Sequence, residues 1–255
     1  MVLALGLDNL VGLLKAAGEP TRFRLLALLS AGDLTVTDLT EILGQSQPRI
    51  SRHLKLLAEE DLIDRYQEGA WAYFRLKQDG KGAEVIKQLL SVASSTDAVL
   101  LRDYERLSGV KRVRAERAQD YFSRNASEWD ELRRLLVSDS AVEQAILRLV
   151  GANPVDALLD LGTGTGLILQ VLQNTYRHAV GIDASRDMLS VARANLDKAG
   201  IVRASVRHGD ILNLPLEGQD FDLVTIHQVL HFLDQPELAI GEAAILCLQR
   251  GDMKR

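Results

Sequence analysis

Between positions 158 and 166 the chain reads Leu158-Leu159-Asp160-Leu161-Gly162-Thr163-Gly164-Thr165-Gly166. An apolar run closes on an acidic residue, glycines follow at every second position, and a new apolar run opens at Leu167. That pattern describes a buried strand, a tight glycine turn and a helix start. Glycine at these places lets the backbone take positive φ and lets a ligand lie directly against the main chain. From Pro154 onward, short β-rich runs alternate with helices, the βαβ signature of a parallel sheet.

A chain of 255 residues has room for two compact domains. It is 47% hydrophobic and 25% charged with mean hydropathy near zero, an ordinary globular composition. Cys247 is the single cysteine, which excludes an internal disulfide and Cys-rich metal or arsenic–thiolate chemistry. The apolar stretch 1–14 is broken by Asp8 and Gly12 and lacks a basic start, so it does not read as a signal peptide. No run approaches the roughly 18 apolar residues of a membrane span, and the expected location is cytoplasmic, with no membrane partner. At a net charge of −5, any nucleic-acid contact must come from a local basic face.

The organisation expected is residues 1–100 as one domain, 101–150 as a helical linker and lead-in, and 151–255 as a second domain. Leu3, Leu7, Leu10 and Leu14 gather on one helical stripe, and Phe23, Leu26 and Ala27 on the next. Glu19-Pro20-Thr21 marks a helix start, with proline in the first turn. Residues 80–135 read as charged helix; Arg102, Arg106, Lys111, Arg112, Arg114, Arg117, Arg133 and Arg134 mixed with acids suggest a solvated face.

Within the first domain, 38–43 reads as a short helix ended by Gly44, and Ser46 as the N-cap of a second helix. In that second helix Ile50, Leu54 and Leu57 share an inward face. Gln47, Arg49, Ser51, Arg52 and Lys55 fall on the remaining faces, where they can meet base edges and phosphates from a helix laid in the major groove. Two strand-like runs around Glu68-Gly69 follow, a β-wing in which Arg65 and Arg75 are expected to touch phosphate. His53 reads as a packing or hydrogen-bonding residue within the fold. The plainer alternative for the helix pair is a packing or dimerisation unit.

Residues 19–76 resemble the winged helix-turn-helix of the ArsR family of bacterial repressors, on Glu19-Pro20-Thr21-Arg22 and Arg52-His53-Leu54-Lys55-Leu56-Leu57. The resemblance implies a homodimer, built mainly from the flanking helices, that binds an imperfect palindrome in double-stranded operator DNA. Many members sense metal through Cys-x-Cys before the turn; this chain carries Thr35 and Thr37 there, and hydroxyls are poor ligands for soft metals, so no metal is expected.

A dinucleotide fingerprint would need glycine at position 167, where the chain has Leu167. The Gly162-x-Gly164-x-Gly166 spacing, with Asp160 two residues earlier, instead resembles the class I S-adenosylmethionine-dependent methyltransferases. Asp183 ends the next strand about 20 residues on, placed to accept from ribose hydroxyls. Asp210-Ile211 follows a third strand, in the place of a carboxylate near an adenine amino group, and 221–226 supplies a fourth strand. The resemblance implies S-adenosylmethionine or S-adenosylhomocysteine as ligand, held by Asp160, Gly162, Thr163, Gly164, Gly166, Asp183, Asp210 and Ile211. Phe122, Ala126 and Trp129 fit either a cover over that ligand or a core stripe. Methyl transfer needs in-line positioning and sometimes a base. His227 is the candidate catalytic base, with His231 behind it; both also fit a structural role. An Asn/Asp-Pro-Pro-Tyr run after the fourth strand is missing, which weighs against DNA amino methylation, and the single cysteine weighs against arsenite methylation.

The expected fold is therefore an α+β winged helix-turn-helix followed by an α/β Rossmann-like methyltransferase fold. The second fold is expected to be incomplete after its fourth strand, because the helix over 237–248 leads into a polar tail, 247–255, that cannot be a buried strand. The leading expectation is a DNA-binding transcriptional regulator whose methyltransferase-like domain takes S-adenosylmethionine or S-adenosylhomocysteine as effector. The alternatives are an active small-molecule methyltransferase carrying a DNA-binding module, and a truncated chain whose second domain does not function.

Overall fold

The computed structural model describes residues 5–93, 96–124, 140–151, 154–214, 216 and 220–252. The chain divides into two compact units, Met1–Val113 and Arg114–Arg255.

The first unit opens with α1 (Leu7–Ala17) and α2 (Pro20–Leu29). Pro20 occupies the first turn of α2, and the Glu19 carboxylate caps it by accepting from Arg22 N at 2.9 Å. Strand β1 (Leu34–Thr35) leads into α3 (Val36–Leu43), where Thr35 and Asp38 form a reciprocal capping box. Gly44 ends α3 at φ +64, a left-handed cap that glycine takes without Cβ strain. Helix α4 (Gln47–Glu59) follows from Ser46, then β2 (Ile63–Glu68) and β3 (Trp71–Leu76), joined at Gly69 with φ +61. The antiparallel sheet runs β1-β3-β2, and Tyr66 stacks on Tyr73 across the hairpin at 5.6 Å. Helices α5 (Gly80–Ser91) and α6 (Ala98–Arg124) complete this part of the chain, with the division between units falling inside α6.

One core built from Leu25, Leu26, Leu39, Ile42, Ile50, Leu54, Leu57 and Phe74 unites these elements. The apolar stripe of α1 faces the other way. Leu7 and Leu14 are exposed, whereas Leu13, Ala16 and Ala17 are buried. Leu10 is half-buried, Leu13, Ala16 and Ala17 pack into the shared core, and Leu3 lies outside the described residues. The charged face of α6 also differs from a purely solvated one. Asp103 is buried and takes both oxygens onto Arg24, at 2.6 and 2.7 Å. Arg102, Arg112 and Arg117 are exposed, while Arg133 and Arg134 lie outside the described residues.

The second unit contains α7 (Ser140–Val150), β4 (Val155–Leu161), α8 (Leu167–Val171), β5 (Tyr176–Asp183), α9 (Arg186–Lys198), β6 (Ala204–His208), β7 (Leu223–Ile226) and α10 (Pro236–Asp252). All pairings in its sheet are parallel and the order is β6-β5-β4-β7. Leu158, Leu159 and Leu161 are fully buried, as a central parallel strand covered on both faces requires. One core lies against α8 and α9, with Leu169, Leu172 and Leu189; the other lies against α10, with Leu159, Phe221 and Leu246. The helix expected over 237–248 extends to Asp252, so Gln249, Arg250 and Gly251 continue it.

Replacing Arg24 by methionine strands the Asp103 carboxylate in a buried site. We expect Arg24→Met to cost about 3 kcal/mol in urea unfolding. Loss of less than about 0.5 kcal/mol, the value of an exposed pair, would contradict the role given to this contact.

Candidate functional site

The carboxyl ends of β4, β5, β6 and β7 form one edge, the edge at which open parallel sheets bind ligands. Gly162, Gly164 and Gly166 follow β4 at φ +69, +53 and +78, a run of left-handed backbone that side chains rarely adopt. A Cβ at Gly162 would stand 2.0 Å from Val229 Cγ2, so the chain after β7 closes directly over the first glycine. A Cβ at Gly166 would stand 3.4 Å from Ala192, which lets α9 pack against the loop. Asp183, at the end of β5, accepts from Gly164 N and from Ser185 N, both at 2.8 Å. Each of its oxygens keeps a second lone pair, so the carboxylate holds the glycine loop and still has acceptor capacity for hydroxyls.

Asp160 lies beneath the loop, 1% exposed. Its Oδ1 accepts from the Thr225 hydroxyl at 2.8 Å, and its Oδ2 makes no hydrogen bond among the described residues. Burial pushes this carboxyl up to about 6, the Thr163 and Thr225 hydroxyls pulling it back and Asp183 adding to the rise. A buried carboxylate with an open oxygen is suited to a cationic or hydrogen-bond-donating ligand group.

The structure thus gathers Asp160, Thr163, the three glycines and Asp183 on adjacent strands. Asp210 follows β6, exposed, with Oδ1 accepting from Leu212 N at 2.9 Å; it stands beside the end of β5 because Gly209 N donates to Asp183 O. Ile211 departs from expectation. Its side chain is buried in the core with Leu161 and Phe221, because an apolar residue at the strand end gains more from that core than from the open edge. His227 follows β7 on the opposite flank, half-buried and without a side-chain hydrogen bond among the described residues. Ala126 and Trp129 lie outside the described residues, as do the side chains of Phe122 and His231.

Sequence reasoning missed Thr225 and Val229. The signal for Thr225 was a hydroxyl inside an apolar strand, which needs a partner; parallel register supplies Asp160 directly opposite. Val229 carried no comparable signal. Gln228 before it takes φ +54, an uncommon conformation for a non-glycine residue, and it turns the chain so that Val229 covers Gly162.

In the first unit Gln47, Arg49, Ser51, Arg52 and Lys55 are all exposed on α4, while Ile50, Leu54 and Leu57 are 0–1% exposed. Arg65 is exposed on the wing. Arg75 is not: it is 3% exposed and its Nη1 donates to Asp33 at 2.9 Å. The register opposes Arg65 to Phe74, so alternation sends Arg75 to the other face, into a buried ion pair and away from any phosphate. His53 Nδ1 stands 3.6 Å from Glu19, and burial pushes its imidazole below the ordinary value, Arg22, Arg49 and Arg52 adding to that effect against the pull of Glu19. The Thr35 hydroxyl is engaged with Asp38. Among the described residues no cluster of His, Cys, Asp or Glu is arranged to hold a metal ion, and no helix is long and apolar enough to cross a membrane.

Comparison with known proteins agrees with this division. Residues 19–65 match the family model for bacterial regulatory proteins of the arsR family, and residues 159–253 match that for a methyltransferase domain. The chain is 45% identical over 67 residues to the arsenical resistance operon repressor of Escherichia coli, covering 26% of this chain and 57% of that protein. It is 39% identical over 62 residues to the transcriptional repressor SdpR of Bacillus subtilis, covering 24% of this chain and 69% of that protein. Over 123 residues it is 32% identical to the demethylmenaquinone methyltransferase of Clavibacter sepedonicus, covering 48% of this chain and 49% of that protein. The chain belongs to the arsR family of bacterial regulators, and it carries in addition a methyltransferase domain of Rossmann-like fold. It spans about half the length of that curated methyltransferase.

The raised carboxyl at Asp160 gives a pH signature. A folded-state value near 6, against an ordinary 3.8, means the native unit holds this proton more tightly than the unfolded chain. Its favourable contribution is complete below about pH 4 and is lost as pH rises through 6. The stability of Asp160→Asn relative to the unsubstituted chain should therefore climb by about 2–3 kcal/mol between pH 4 and pH 7. A difference that stays flat over this range would contradict a buried, protonatable Asp160.

Proposed function

We propose that the chain is a transcriptional regulator in which the winged helix binds operator DNA and the methyltransferase-like unit binds S-adenosylmethionine or S-adenosylhomocysteine as effector. The observation that carries the effector half is the cradle itself: the left-handed glycine run, clamped by Asp183 and underlain by a buried Asp160 with one open oxygen. On this reading Gly162, Gly164 and Gly166 admit the ligand against the backbone, Thr163 lines the turn, and Asp183 accepts from the ribose hydroxyls. Asp210 and the backbone at Ile211 border the adenine, and Asp160 serves the cationic end of the amino-acid tail.

The DNA half rests on α4, whose exposed Gln47, Arg49, Ser51, Arg52 and Lys55 form the polar face of a helix buried on its other side. Arg65 adds a phosphate contact from the wing. A homodimer is favoured by exposed apolar side chains on the two flanking helices, Leu7, Val11 and Leu14 of α1 and Val99, Leu101 and Tyr104 of α6. The divisions proposed are 1–100, 101–150 and 151–255, with 101–113 packed on the first unit and the charged helices as the coupling element.

A second reading, an active small-molecule methyltransferase bearing a DNA-binding module, is favoured by His227. It lies just beyond β7 at the carboxyl edge of the sheet, half-buried, where a base could reach an acceptor bound there.

Calorimetry with S-adenosylmethionine and S-adenosylhomocysteine, followed by a labelled-methyl transfer assay on a cell extract, separates the readings. We expect saturable binding of at least one ligand, lost in Asp183→Ala, and no transferred label. Transfer abolished by His227→Ala would establish the enzyme reading instead, and no heat of binding with either ligand would overturn both.

A further inference from the structure

Two cationic side chains on the first half of α6, the exposed Arg106 and the half-buried Lys111, reach the ends of other helices in the same unit. Asp103 and Leu107 are buried one turn apart, with Val110 packed against the same core, so this stripe seats α6 on the winged helix. The bidentate Arg24–Asp103 pair fixes the register of that seat. From it, Lys111 Nζ donates to Ala31 O at 2.9 Å, in the turn that follows α2. Arg106 Nη1 donates to Ile42 O at 2.8 Å, in the last turn of α3.

Ile42 O is one of the terminal carbonyls that a helix cannot satisfy internally, and it sits at the negative end of the α3 dipole. Gly44, two residues on, makes the left-handed step toward α4, and a Cβ there would stand 3.6 Å from Arg106 Nη1. The guanidinium thus lies at the start of the short turn, residues 44–46, that leads into the recognition helix. The side chains expected to meet DNA begin at Gln47, one residue beyond the turn.

We propose that Arg106 is a positioning residue for DNA recognition: it fixes the α3–α4 turn from α6 and thereby the angle at which α4 is presented. The inference rests on the reading of α4 as the DNA-facing helix. It also deepens that reading, because α6 is one continuous helix from Ala98 to Arg124 and the second unit begins within it at Arg114. A displacement of α6 in register or bend is transmitted to Ile42 and Gly44 through this guanidinium. Lys at position 106 keeps a donor and a charge on a flexible stem, whereas Ala removes both.

The test uses the full chain, its Arg106→Ala and Arg106→Lys variants, and a fluorescent duplex carrying the DNA immediately upstream of its own reading frame. Fluorescence anisotropy at several salt concentrations reads affinity and salt slope, and amide hydrogen exchange reads the 44–47 turn in the absence of DNA. We expect Arg106→Ala to weaken binding about tenfold with the salt slope unchanged, to speed exchange at the turn, and to leave the unfolding midpoint within a few degrees. Arg106→Lys should recover most of the affinity. A salt slope smaller by about 0.9 would make Arg106 a phosphate contact and overturn the proposal. Unaltered affinity together with unaltered exchange would overturn it also. If the unsubstituted chain binds no duplex, the DNA reading fails on its own account, and exchange at the turn decides the positioning role.

Discussion

Left-handed backbone at Gly162, Gly164 and Gly166 is the constraint on which the second unit turns. Three such residues within five positions cannot be built from residues bearing a Cβ without strain at each, of order 1 kcal/mol. With glycine, the chain leaves β4 in a compact loop, returns into α8, and lets Val229 and Ala192 close on it from two sides. Asp183 then draws Gly164 N toward β5, and Ile182 O accepts from Gly162 N and Thr163 N, so the neighbouring strand fixes the loop together with the loop's own Gly166 N to Thr163 O bond. Asp160 beneath it takes a hydroxyl from β7, which ties the fourth strand to the same centre. Loop, strand ends and buried carboxylate form one unit of structure at the carboxyl edge of the sheet.

The first unit achieves a different kind of definition. The net charge of the whole chain, −5, carries no information about nucleic-acid binding by this unit. What matters is distribution: α4 buries Ile50, Leu54 and Leu57 and leaves Arg49, Arg52 and Lys55 in solvent. Caps at Glu19, Thr35 and Gly44 fix where each helix begins or ends, and α6 supplies cations to the carbonyl ends that remain. Helix direction in this unit is thus set by polar contacts at helix ends, over a core that supplies most of the stability.

Much of this was legible from residue order because the controlling interactions are local. Glycines at alternate positions and proline in a first turn each act within a few residues. The apolar face of α4 follows from helical periodicity, and the parallel pairing of the second sheet from alternation of strand and helix, while its order β6-β5-β4-β7 comes from the structure. What was not legible depends on partners distant in sequence. Arg75 was expected at phosphate, but its partner is Asp33, 42 residues away. The α1 stripe was visible, yet the core takes Leu13, Ala16 and Ala17 from the other side of the helix and leaves Leu7 and Leu14 exposed. Asp103 hid inside a charge run, since only the fold brings Arg24 to it. Thr225 and Val229 enter the site through strand register and an unusual backbone angle at Gln228, neither of which a pattern of residue types reveals.

The central claim is that one chain joins a ligand cradle to a DNA reader so that the first governs the second. The most direct measurement is operator affinity, on the upstream duplex, with and without saturating S-adenosylmethionine or S-adenosylhomocysteine, in the unsubstituted chain and in Asp183→Ala. The account predicts a ligand-dependent change of at least about fivefold, the lower end of typical allosteric coupling, abolished in the variant. Operator affinity that is identical at zero and saturating ligand, in a chain that demonstrably binds both, would contradict it.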